Sequence, residues 1–125
     1  HEAVGRDNFA FVLDTWHLWA SRGATPEDMA GIDKELIYNV HISDGHRPDI
    51  GQPWVNEKLL RGYLVGEGKI PLQVCFDAIK STGFVGFFSG EFLSDQLWES
   101  DHYCFAEAML QGMKSLFSEG ELSTS

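Results

Sequence analysis

The chain has 125 residues, enough for one small domain. At 43% hydrophobic and 13% aromatic residues it can bury a core, so it does not read as a disordered segment. Its 9 Lys and Arg against 19 Asp and Glu give a formal net charge of -10, which argues against a nucleic-acid backbone or an anionic membrane surface as partner, because both reward clustered basic residues.

The first residues, "HEAVGRDN", read as the end of an earlier helix and its turn. "NFAFVLD" (residues 8–14) is an apolar run rich in β-formers that ends on a carboxylate, which predicts a buried strand. "TPEDMAG" follows, with Thr25 as N-cap, Pro26 at the first helical position and acids in the first turn, so a helix starts there. "LIYNVHISDG" (36–45) predicts a second strand, again ending in polar residues, and a polar loop runs from 45 to about 55. "GEGKIPLQVCFDAIKSTG" opens a helix at Pro71 with Leu72, Cys75, Phe76 and Ile79 as its apolar stripe and Gly83 as the C-terminal stop. "FVGFFSGEF" (84–92) predicts a third strand. A last helix covers roughly 101–117, with Phe105, Met109, Leu110, Met113 and Leu116 forming a core face. Residues 118–125 form a polar tail.

Strands that alternate with helices predict βαβ units and a parallel sheet, and strands that are almost continuously apolar predict cover on both faces. Three strands leave two open edges. Further strands upstream, or another copy of the chain in a homo-oligomer, are therefore expected to cover them. No apolar run approaches the roughly 20 residues of a membrane-spanning helix. Cys75 and Cys104 lack CxxC spacing and fall in helical segments, which reads as reduced core or near-core thiols of a cytoplasmic protein.

Each predicted strand delivers one metal-ligand type at or near its C-terminal end: Asp14, His41 and Glu91. Singly, each has an ordinary explanation: a turn-forming Asp, a hydrogen-bonded core His, an ion-paired Glu. In a parallel array, however, all C-terminal strand ends lie on one side, the side on which parallel α/β barrels carry their active sites. Two carboxylates and an imidazole there suit a divalent ion, Mn²⁺ first, with Mg²⁺, Co²⁺ and Zn²⁺ also compatible.

The four stretches "VLDTWHLW", "VHISDG", "VGEGKIPL" and "TGFVGFFSGEFLSDQLW", in this order and spacing, resemble the C-terminal part of the xylose-isomerase-like TIM barrels, in the sugar phosphate isomerase and epimerase group. The resemblance runs from about Phe9 to Phe117 and implies that the whole chain is the C-terminal portion of a single (β/α)₈ barrel, a fold that typically needs about 250 residues. It implies that Asp14, His41 and Glu91 bind metal, that Glu91 is also the catalytic acid/base, and that His17 touches substrate. It further implies a substrate-binding arginine, for which Arg61 is the candidate, although its spacing to Gly66 is one residue off and Val65 stands where the family carries proline. Another metal-binding glutamate would lie upstream of His1.

The implied activity is isomerisation or epimerisation of a small sugar or sugar phosphate through an enediolate. Two other readings share the barrel: a metal-dependent dehydratase of the 3-dehydroshikimate or inosose type, and a truncated, non-catalytic binding module. A three-zinc repair endonuclease is disfavoured, since Leu60 and Gly62 stand where it needs ligands. Trp16 and Trp19 read as ordinary packing, and His46, Arg47 and Asp49 in the long loop as either solvated or functional.

Overall fold

The computed structural model describes residues 2–21, 24–49, 51, 54 and 56–118; the polar tail beyond Ser118 and part of the 45–55 loop lie outside the described residues. Strand β1 (Phe11–Asp14) runs straight into helix α1 (Thr15–Ala20), which Asp14 caps by accepting from the His17 amide. Helix α2 (Pro26–Ala30) starts where Thr25 and Pro26 predict it. Thr25 and Asp28 form a reciprocal capping box there. A 3₁₀ turn (Lys34–Leu36) leads into β2 (Ile37–Ile42), followed by the two-residue strand β3 (Asp44–Gly45). Helix α3 (Glu57–Leu60), strand β4 (Arg61–Tyr63), helix α4 (Leu72–Ser81), strand β5 (Phe87–Gly90) and helices α5 (Asp95–Trp98) and α6 (His102–Lys114) complete the order.

The main sheet has the order β1-β2-β5, all parallel, with β2 in the centre. Asp14 is level with His41, and His41 with Ser89. Because side chains alternate across a strand, Leu13, Val40, Ile42 and Phe88 point to one face, and Val12, Asp14, His41 and Phe87 to the other. The first face packs against Met29 of α2 and the predicted stripe of α4: Leu72, Cys75, Phe76 and Ile79 are all buried. Phe76, Phe88 and Phe117 meet there in edge-to-face and tilted pairs. Gly83 closes α4 with φ +86°, a conformation that side chains other than glycine's rarely adopt.

Three expectations need correction. Among the described residues the second face is covered only towards its C-terminal end, where Arg61 meets the buried Asp14; Val12 and Phe87 on that face are exposed, Phe87 to 82%. The segment read as one long strand over 36–45 breaks after Ile42. Asp44 and Gly45 turn away to pair antiparallel with β4, a short strand that the sequence reading does not contain. Cys104 is exposed rather than in or near the core, because α6 lays only part of one side on the sheet; Leu110 of its expected stripe is exposed as well. No helix among the described residues is long and apolar enough to cross a membrane.

Candidate metal centre

The parallel register puts Asp14 and His41 side by side at the C-terminal ends of β1 and β2. Glu91 follows β5, and its amide donates to the Ile42 carbonyl (3.1 Å), extending the ladder by one step. It lies two residues beyond Ser89 and so on the same face as His41. A lateral tie keeps the strand ends together: the Thr15 hydroxyl donates to the Ser43 carbonyl (2.8 Å) and accepts from the Ser43 amide (3.1 Å).

One potential ligand atom from each of Asp14, His41 and Glu91 lies within 4.8 Å of the others. His41 Nδ1 lies against Glu91 Oε2. Asp14 is buried, whereas His41 and Glu91 are partly open to solvent. The donor set fits a divalent ion that accepts oxygen and nitrogen ligands. The carboxylates already attract a cation: Nη2 of Arg61 lies 2.9 Å from Asp14 Oδ2 and 3.7 Å from Glu91 Oε2.

Arg61 is 3% exposed, and four side chains gather at its guanidinium fork. Besides the two carboxylates, Nη1 lies 2.9 Å from His17 Nε2 and 3.3 Å from Glu57 Oε2. A guanidinium has only donors, so Nε2 of His17 is the accepting nitrogen in this pair. His17 itself is exposed at the rim, one helical turn beyond Asp14. Trp16 is buried; its indole donates to the His46 carbonyl (2.9 Å), and its ring lies 5.3 Å from Arg61 Cζ. Trp16 is thus packing that also walls the arginine. Trp19 stacks under Arg47, His46 meets Tyr63 edge-to-face, and Asp49 is exposed.

The fold brings Asp14, His41, Glu91, His17 and Arg61 into one cluster. Two further residues escaped the sequence reading. Glu57 joins through Arg61, and its i,i+4 spacing to that residue was the available signal. Asp44, 1% exposed, accepts from the amides of Gly45 (2.8 Å), Gly66 (2.9 Å) and Ile70 (3.1 Å), anchoring the loop after β4.

The family model for the xylose isomerase-like TIM barrel matches residues 1–115. The chain belongs to this family. Among curated relatives, it is 30% identical over 101 residues to an inosose isomerase of Bacillus velezensis and 29% identical over 98 residues to one of Halalkalibacterium halodurans. These alignments cover 81% and 78% of the chain but 32% and 33% of the relatives, so the chain spans about a third of their length. Among solved structures, it superposes on the IOLI protein with a bound zinc atom at TM-score 0.78 and 24% identity, covering 92% of this chain and 40% of that one. A xylose isomerase domain protein of Alicyclobacillus acidocaldarius gives TM-score 0.75 and 26% identity, with 92% and 39% covered. The architecture is therefore an α/β part of a TIM barrel.

Proposed function

We propose that this chain supplies the metal-binding and proton-transferring wall of an isomerase or epimerase acting on a small sugar, sugar phosphate or cyclic polyol ketone. The observation that carries this reading is the convergence of Asp14, His41 and Glu91 at one end of the sheet. The family and the two inosose isomerase relatives support the reaction class.

Asp14, His41 and Glu91 would hold a divalent ion, with Mn²⁺ the first choice. Bound there, the ion would polarise a substrate carbonyl and acidify the neighbouring C–H. Asp14 is fixed for this task through both oxygens: Oδ1 accepts from the His17 amide (3.0 Å) and Oδ2 from Arg61. Glu91 is the general base. It is partly solvent-exposed, so its second oxygen can reach a substrate lying on the open face. It removes the acidified proton, leaving an enediolate, and returns it to the adjacent carbon on the same side; epimerisation would need a second acid on the opposite face. His17, exposed at the rim, contacts the substrate hydroxyls.

Solvent deuterium incorporation next to the carbonyl, with the full-length protein, Mn²⁺ and a sugar and inosose panel, tests the proposal. Glu91→Gln keeps the side-chain size but removes the base, and turnover should fall ~10²–10⁴-fold. Turnover that survives rigorous metal removal, or an unchanged rate in Glu91→Gln, would overturn the mechanism. A product that has lost water would transfer the assignment to the dehydratase.

A further inference from the structure

We infer that Arg61 is a positioning residue whose guanidinium fork sets the orientation of Asp14 and of the rim His17, so that the geometry of the fork, beyond its charge, determines how well the centre retains a divalent ion. This rests on the reading of Asp14, His41 and Glu91 as ion ligands.

Arg61 is 3% exposed, and its Nε has no hydrogen-bond partner among the described residues. A buried guanidinium is tolerated only where its terminal groups are well paired. Here all the pairing is at the fork: Nη2 to Asp14 at 2.9 Å, Nη1 to His17 at 2.9 Å and to Glu57 at 3.3 Å. The group is directed by its partners, and it directs them in turn. Asp14 leaves β1 at the β1–α1 junction, where the His17 amide takes Oδ1. With Arg61 holding Oδ2, the carboxylate plane is set from both sides. The guanidinium carbon lies over the Trp16 ring, 5.3 Å from its centroid.

Charge supports the same arrangement. Asp14, Glu57 and Glu91 surround one guanidinium, so the cluster carries two uncompensated negative charges when the imidazoles are neutral. A divalent ion neutralises that remainder. Arg61 therefore need not leave when an ion enters, and it stays as the support of the Asp14 ligand.

Lysine retains the charge but replaces the planar fork by a single ammonium, which cannot reproduce the paired Asp14 and His17 contacts. Calorimetric titration of the metal-stripped full-length protein with Mn²⁺ alone, and with Zn²⁺ alone, reads the effect without any turnover. Loss of an outer partner of a metal ligand typically lowers ion affinity ~10–100-fold, and Arg61→Lys should fall in that range. Arg61→Gln removes the charge and its repulsion of an incoming ion. A role through charge alone predicts tighter binding in this variant, whereas positioning predicts weaker. Wild-type affinity in Arg61→Lys, or tighter binding in Arg61→Gln, would overturn the inference while leaving the ion site intact. A wild-type protein that takes up neither ion would overturn the site reading and this inference together. If neither variant folds, Arg61 is a structural core residue and the inference is lost.

Discussion

Asp44 offers the most direct test of how the loop after β4 is held. Its Oδ1 accepts from the Gly45 and Ile70 amides and its Oδ2 from the Gly66 amide. Asp44→Ala orphans all three. Those of Gly45 and Ile70 are buried, and an unsatisfied buried donor costs ~1–3 kcal/mol, so the loss should be about 2–6 kcal/mol; the partly exposed Gly66 amide regains water and adds little. Asp44→Asn retains one acceptor oxygen, which can serve Gly45 and Ile70, and turns an NH₂ toward Gly66. It should lose roughly 1.5–3 kcal/mol, the value of one hydrogen bond to a charged group. Equilibrium urea denaturation of the full-length protein measures both, and limited proteolysis reports whether cleavage moves to residues 64–70. If Asp44→Ala lies within ~0.5 kcal/mol of wild type, or if Asn is as damaging as Ala, the anchoring account is wrong. The effect should reach the candidate centre, because the loop continues directly from the strand that carries Arg61.

Gly62 has φ +88°, and a Cβ there would meet the Leu93 carbonyl at 2.7 Å, so Gly62→Ala should destabilise by roughly 1–3 kcal/mol through strain and displacement. It should also weaken Mn²⁺ uptake in the same titration, since Leu93 closely follows Glu91; an unchanged urea midpoint would contradict this. Burial pushes the Cys75 thiol above its usual range, whereas Cys104 is exposed. A thiol reagent at neutral pH should therefore label Cys104 quickly and Cys75 only on unfolding. Equal labelling rates in the native state would refute that placement.

The parts of the fold legible in the sequence are those with a strong local signal. Thr25-Pro26 marked a helix start that the structure closes with a capping box, and the 72/75/76/79 stripe marked a face that is fully buried. Asp14, His41 and Glu91 could be placed at or near strand ends because each lies at or close to the end of an apolar run, and parallel pairing then brings those ends together. The β3–β4 hairpin was illegible for a physical reason. Strands of two and three residues have no periodicity to detect, and Ser43-Asp44-Gly45 reads as the polar end of the β2 run rather than as a strand of its own. Asp44 read only as part of the polar strand end, because nothing local shows that its acceptors serve amides 22 and 26 residues away. The exposure of Cys104 and Leu110 was equally hidden, since an apolar stripe on α6 states which side is apolar but not how much of it the sheet can cover.

The central position of β2 has an evolutionary consequence. His41 lies on the strand that is hydrogen-bonded to both neighbours, so the spacing between the three ligand-bearing positions is written in main-chain ladders rather than in side-chain packing. Exchanging one donor type for another at 14, 41 or 91 changes the chemistry offered to an ion while leaving the three backbone positions where they are. Ion preference and reaction can then diverge by single substitutions in a lineage that never has to reinvent the scaffold.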